Sequence, residues 1–275
     1  NVLRWVPFKI KEKDLTNGIA NKMIRPTTIP QSLEALIIEQ AIARESLRLS
    51  FEQHKEFAVK LKGVQQKRTI SDAFEQSSSG ETLVDLMELD MLVGSGGVLS
   101  HAPRRHQAAR MLIDSFLPEG ITQIAVDSIF MMPQLGILST IHTKAAVEVF
   151  EKDCLIHLGT CIAPVGPQKP GSPILTYECL LPNEKLEGIL MPGELKLIPF
   201  PHEPVQIKLF PAKGLDVGAG KNELLATQIY GGVVGIILDG RGRRPFTLSN
   251  IPEERIQNLS TWSEATNEYP TLEID

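Results

Sequence analysis

Little in this sequence points to a redox, metal or membrane protein. Its 275 residues include three cysteines, Cys154, Cys161 and Cys179. The step from Cys154 to Cys161 is too wide for a Cys-x-x-Cys pair, so neither a zinc site nor a disulfide framework is expected. Buried free thiols of a cytoplasmic protein are the expectation instead. No apolar run approaches the roughly 18 residues of a membrane span, and no signal-peptide pattern opens the chain. A basic excess is missing too. Lys and Arg number 28 against 33 Asp and Glu, for a net charge of −5. The basic residues are scattered, which disfavours nucleic acid and anionic membranes as partners. Catalytic signatures are absent: there is no GxSxG, HExxH, Walker-type GxxxxGK[ST] or dinucleotide GxGxxG, and no nucleophile or acid–base set converges.

What is present is a chain of ordinary globular composition, 42% apolar and 22% charged, long enough for one large domain or two smaller ones. It is organised around Leu83–Pro103, LVDLMELDMLVGSGGVLSHAP. An apolar lead-in from Val84 to Val93 predicts a strand that stops at Gly94-Ser95-Gly96-Gly97, and Arg105–Phe116 (RHQAARMLIDSF) predicts a helix. Glycines there allow positive φ and close approach, and the N–H groups beginning the next helix make a place for an anion or a ribose. GSGG also serves as a plain strand-to-helix turn. A second unit follows: a strand through Ile121, Ile124 and Val126, a turn at Asp127-Ser128, and a helix starting near Pro133. Two strand–helix steps predict a parallel α/β layer, whose ligands bind beyond the carboxyl ends of the strands. Asp127 sits at such an end, where ribose-binding carboxylates and plain helix caps both occur.

Elsewhere, Val2–Ile10 alternates like a strand, and Asp14 and Thr16 start a short helix running to Met23. Ser32 is placed to cap the longest helix, which carries Leu33, Leu36, Ile37, Ala41 and Leu47 on one face and is expected to end at Lys62-Gly63. Ile70–Gly80 predicts a short capped helix running into a Ser-rich loop, and Thr143–Glu151 a further helix. After Cys154 prolines and glycines cluster between short strand-like runs, which predicts a small barrel or sandwich. A last helix is expected from Pro252 to about Thr266. Asp216 and Asp239 read as turn formers, and Arg241-Gly242-Arg243-Arg244 as a solvated hairpin tip, or else a grip for an acidic partner. Ser100-His101 and Arg104-Arg105-His106 face either a phosphate or sugar, or nothing beyond the helix start. A boundary near residues 151–165 divides an α/β unit, 1–153, from a β-rich unit, 154–275.

Five segments together resemble the carboxyl-terminal part of the glutamate-mutase accessory family called MutL or GlmL, which is unrelated to the mismatch-repair protein sharing that name. They are NKMIRPTTIPQSLEALIIEQAIARESLRL, LKGVQQKRTISDAFEQ, MLVGSGGVLSHAPRRHQAARMLIDSFLPEGITQIAVDSIFMMPQLGILS, DCLIHLGTCIAPVG and GGVVGIILDGRGRRPF. The resemblance implies the superfamily of acetate and sugar kinases, actin and heat-shock chaperone ATPases, which closes two ribonuclease-H-like lobes over ATP. This chain would be the second lobe followed by the β-rich domain. Gly94, Ser95, Gly96, Gly97 and Val98 would then form the adenosine motif, with Asp127 beside it, and the cofactor would be ATP or ADP with Mg²⁺. The partners implied are subunits of an adenosylcobalamin-dependent mutase that the protein maintains or reactivates. The superfamily's first phosphate motif, an Asp-Gly-Thr/Ser turn, does not occur in these residues, so hydrolysis is expected only with elements upstream. The other reading open to this sequence is a scaffold that docks the mutase without nucleotide.

Overall fold

The computed structural model describes residues 1–58, 83–182 and 184–270. Two helices come first, α1 (Glu12–Ile24) and α2 (Leu33–Phe57). Ser32 caps α2 as its position predicts, its Oγ accepting from the Ala35 N–H at 3.2 Å. The expected Lys62-Gly63 terminus and the Ile70–Gly80 segment lie outside the described residues. Next come β1 (Met91–Gly94), the short α3 (Gly97–Ser100), α4 (Arg105–Phe116), β2 (Gly120–Asp127) and α5 (Met132–Val149). Strands dominate the remainder: β3 (Leu155–Ala163), β4 (Leu175–Leu180), β5 (Lys185–Leu190), β6 (Leu195–Ile198), β7 (Pro204–Pro211), β8 (Leu225–Tyr230) and β9 (Gly235–Asp239). Helix α6 (Pro252–Ala265) follows.

The strands form two open sheets, and neither closes into a barrel. One has the order β1-β2-β3-β9-β6, the other β5-β4-β7-β8. The first is mixed: β1 runs parallel to β2, β2 antiparallel to β3, and β3 parallel to β9. It therefore draws strands from both sides of residue 154, and the expected boundary at 151–165 falls on its central strand.

Alternation along β9 shows why this sheet lies in the middle. Ile237 packs with the helices, whereas Ile236 and Leu238 pack with the four-stranded sheet. All five β9 residues are buried, the mark of a strand covered on both faces. The result is three layers: helices, five-stranded sheet, four-stranded sheet. At one crossing β3 and β9 approach so closely that a Cβ on Gly159 would stand 1.7 Å from the Gly235 carbonyl oxygen, so only glycine fits there.

Helix α4 is buried from Gln107 to Ser115, lying between the sheet and α2. Its apolar residues Ala108, Met111 and Leu112 enter the core; its buried Gln107 and Asp114 have hydrogen-bond partners on α2, while Arg110 Nη1 has none among the described residues. Buried polar groups without such partners would cost several kcal/mol each, roughly 2–7 by transfer measurements.

Three expectations change. Val2–Ile10 is not a strand: the chain makes a 3-10 turn over Val2–Trp5. Trp5 and Val6 are both buried, Trp5 Nε1 donating to Glu45 Oε2 of α2 at 3.0 Å, and strand alternation would turn one of these neighbours outward. The apolar lead-in yields only the four residues of β1, because Asp85 Oδ1 accepts the Met87 N–H at 3.0 Å and fixes a 3-10 turn at Leu86–Glu88. The helices expected near Pro133 and at Thr143 form one span, α5, broken at His142 (φ −143°, ψ 74°). His142 Nδ1 accepts the Ala145 N–H at 3.2 Å, so this imidazole caps the second segment. Cys154, Cys161 and Cys179 are buried free thiols, as expected. Among the described residues no helix is long and apolar enough to cross a membrane.

Candidate functional site

The glycine turn after β1 divides its work residue by residue. Gly94 belongs to the core: a Cβ there would stand 3.0 Å from Leu112 Cδ1 and from Leu99 Cδ1. Gly96 takes φ +113°, where a side chain is strained, and starts α3. A Cβ on Gly96 or on Gly97 would meet nothing within 4 Å. One end of the turn is therefore filled and the other is open.

Asp127, at the end of β2, is fully buried and ties the turn to the next helix. Its Oδ2 accepts the Met132 N–H at 2.9 Å and the Ser95 hydroxyl at 3.3 Å, and its Oδ1 accepts the Ile129 N–H at 3.3 Å. Ser100 Oγ donates to the Asp127 carbonyl. Burial alone would raise this carboxyl, but the backbone N–H groups at the start of α5, Met132 first, overcome it and hold it below the usual aspartate range. Asp127 is thus a cap and a strut, with Ser95 fastened to it.

The open end faces a cleft of about 760 Å³, within the range of small-molecule sites. Gly97 and Val98 line one wall, continued by His101, Ala102 and Pro103; the loop after α1 and the start of α2 form the other. Ile29, Pro30, Leu33 and Leu36 make that second wall largely apolar. Polar groups are few. Gln40 Nε2 donates to Gln107 Oε1 at 3.1 Å, and its Oε1 accepts from the Tyr269 hydroxyl at 2.6 Å. Lys22 ion-pairs with Glu39 and donates to the Thr28 carbonyl at 2.6 Å. An apolar slot with a few fixed polar groups suits a flat ring with a polar edge.

Of the six residues expected at a nucleotide site, Gly97 and Val98 line the cleft. Ser95 and Asp127 support the turn, Gly96 shapes it, and Gly94 packs beneath it. Among the basic residues beside the turn, His101 reaches the cleft. Arg105 Nη1 donates instead to the Ser100 carbonyl at 2.8 Å, and Arg104 Nη1 to the Asn267 carbonyl at 3.2 Å. Lys22 and Gln40 were not foreseen. They sit on helices whose sequences carry no motif, and only the packing of α1 and α2 brings them to the glycines. Among the described residues no group of three or more His, Cys, Asp or Glu is placed to hold a metal.

The run Arg241-Gly242-Arg243-Arg244 is not a solvated tip, and Asp239 is more than a turn former. Arg241 and Arg243 are buried. Asp239 Oδ2 accepts from Arg241 Nη2 at 2.7 Å and from Arg243 Nη2 at 2.8 Å, while Arg241 Nη1 reaches Asp114 Oδ1 of α4 at 2.7 Å. Asp114 Oδ2 accepts Arg44 Nε at 2.9 Å, and Arg44 also pairs with Glu268. The Arg241 guanidinium lies 5.0 Å from the Trp262 ring centre. Burial would raise the Asp239 carboxyl, but Arg241 and Arg243 hold it far below the usual range. Asp216 does form a turn, its Oδ1 accepting the Gly218 N–H at 2.8 Å.

No curated protein and no solved structure matches this chain. A family does. The family described as MutL protein matches residues 1–154, more than half of the chain, including α1, α2, the glycine turn, α4, β2 and α5. Membership implies an accessory role toward glutamate mutase and association with its subunits. The chain belongs to the MutL family, the glutamate-mutase accessory family that its sequence resembles.

Proposed function

We propose that this protein binds an adenine nucleotide in the cleft between the Gly96–Pro103 segment and the start of α2. In this reading it acts as the second, ribonuclease-H-like lobe of an actin-like ATPase that services an adenosylcobalamin-dependent mutase. The observation that carries the proposal is Gly97, with nothing within 4 Å of its Cβ position, on the wall of an apolar cleft of about 760 Å³, ample for a nucleoside. Ile29, Leu33, Leu36 and Val98 would cover the base and sugar faces, the buried Gln40, held by Gln107 and Tyr269, would brace the wall behind them, and the Ser95–Asp127 pair would hold the turn in place. The donor set fits the nucleoside half of ATP or ADP. Among the described cleft residues the one carboxylate, Glu39, is paired with Lys22, so Mg²⁺ is assigned to the phosphates of the nucleotide and to no residue here.

Calorimetric titration of adenosine, ADP and ATP tests this reading. Binding by the wild-type chain should fall at least about tenfold, or ~1.4 kcal/mol, in Gly97→Val, whose branched side chain enters the slot. A folded Gly97→Val protein with unchanged affinity overturns it.

A second reading, docking of the mutase without nucleotide, is favoured by α5. Ile137 and Ile141 are 71% and 86% exposed, and large apolar side chains concentrated on one face mark interaction surfaces. Capture of mutase subunits that ignores ATP, and that is lost in Ile137→Glu/Ile141→Glu, supports it.

A further inference from the structure

Arginines in this protein are mostly paired with acids. Arg44, Arg48, Arg110, Arg241, Arg243 and Arg244 each contact a carboxylate. Arg104 and Arg105 donate to backbone carbonyls and Arg25 is exposed, whereas Arg4 and Arg255 are half-buried. Among the described residues neither makes an ion pair or a hydrogen bond to an acid, and Arg255 Nε is buried without any acceptor. Both side chains line one cavity of about 360 Å³ together with Asn1, Leu3, Leu248, Ser249 and Asn250, and no Asp or Glu among the described residues lines it.

The surroundings keep this cavity positive. Arg4 lies 5.2 Å above the Trp5 ring, and Trp5 is anchored to Glu45, so the guanidinium is held in place by stacking rather than by a counter-charge. Burial and the neighbouring Arg48 lower its proton affinity, and Glu45 and Glu52 of α2 oppose them only in part. Of the acids of the first turn of α6, Glu253 lies 3.8 Å from Lys9, and Glu254 stands behind the wall, accepting the hydroxyl of the lining Ser249 at 2.7 Å. A half-buried guanidinium without an acceptor is costly, and a planar fork matches the oxygens of phosphate.

We infer that this cavity is a binding site for a phosphate-type oxyanion, gripped by the forks of Arg4 and Arg255, with the Asn250 amide supplying a neutral hydrogen bond. Its volume exceeds that of a phosphate group severalfold, so a small phosphomonoester fits better than the bare ion. The site is separate from the proposed nucleotide cleft, with which it shares no lining residue.

Calorimetry on the full chain with inorganic phosphate and with glycerol 3-phosphate, against chloride at matched ionic strength, tests the assignment. Saturable binding is expected, tighter for the ester, with a change in Trp5 fluorescence. Arg4→Gln and Arg255→Gln should each weaken binding about tenfold or more, the scale of one charged hydrogen bond. Lys213→Gln, an exposed cation elsewhere, should leave it unchanged. Should Arg4→Gln fail to fold, Asn250→Asp decides: this exposed lining residue tolerates the change, and a negative charge there should repel the ligand. Tighter binding of bare phosphate would keep the site and make its ligand the free ion. Heat from phosphate no greater than from chloride, or equal binding in the folded variants, overturns the proposal. Adenosine binding unaltered by Arg4→Gln separates this outcome from that of the nucleotide reading.

Discussion

Two turns at opposite ends of the five-stranded sheet invite comparison. After β1 the chain runs Gly-Ser-Gly-Gly, and after β9 it runs Gly-Arg-Gly-Arg-Arg; β9 runs against β1, so the turns project from different edges of the layer. Both follow strands in a mixed sheet and both are rich in glycine. The first leaves its surroundings unfilled, with nothing within 4 Å of a Cβ on Gly97. The second fills them with its own side chains, and Arg241 and Arg243 fold back onto Asp239 and Asp114. A turn becomes a ligand site where side chains are withheld, and a structural lock where they are long, charged and met by acids from another element.

The comparison is broken most severely at the lock. Asp239→Ala would leave Arg241 and Arg243 buried beside a missing counter-charge, which costs about 3–5 kcal/mol. Urea denaturation should show that loss, and a cost below about 1 kcal/mol would mean the arginines find water or another acid. The glycine turn should be untouched in whatever fraction remains folded.

Acid should act on the same lock, because Asp239 is held far below the ordinary aspartate range, about 3.9. A depressed folded-state pKa stabilises the protein fully above the unfolded value, and that stability is lost as pH falls from about 4 toward the folded pKa. Melting temperature should therefore be flat with respect to this group from pH 7 to about 5 and fall below 4. Asp127, depressed by backbone N–H groups, adds to the loss in the same direction. If the acid limb in Asp239→Asn is as steep as in wild type, other carboxylates control it.

Within the glycine turn itself, residues three apart should answer differently to one substitution. Gly94→Val drives new atoms into Leu99 and Leu112 and should cost ~1–3 kcal/mol of stability. Gly97→Val points into open space, so stability should hardly move while adenosine affinity drops. Thermal melts of the two variants side by side decide whether the turn is half core and half site.

These contrasts explain what could be seen beforehand. The helix starting at Ser32, α4 and α6 were legible because their apolar spacing, and at Ser32 the cap, are local. The turn at 94–97 was legible as a candidate site because missing side chains are visible in any sequence. The far wall was not, since Lys22 and Gln40 reach the cleft through helix packing and carry no motif. Nor was the lock: RGRR reads as solvated until Asp114, 127 positions from Arg241, is brought against it. Sheet order was hidden for the same reason, because β9 pairs with β3 across more than 70 residues of intervening chain. The strand predicted at Val2–Ile10 failed where two adjacent residues, Trp5 and Val6, both found burial in the fold.

The smallest effect tests whether the cleft wall and the lock are energetically independent. Ser32 lines the cleft and caps α2 through the Ala35 N–H. Ser32→Ala removes one acceptor from an exposed helix start, a change of ~1 kcal/mol at most at such a site. The loss should appear as faster hydrogen exchange confined to the first turn of α2, with a slight weakening of adenosine binding because the wall frays. Arg44 lies three turns further along α2 and is fixed by Asp114 and Glu268, so protection there should not change. Combined with Asp239→Ala, the two costs should add to within about 0.5 kcal/mol, as for sites that share no partner. A larger coupling would mean that α2 transmits the state of the cleft to the arginine lock, and the two turns would then be parts of one device.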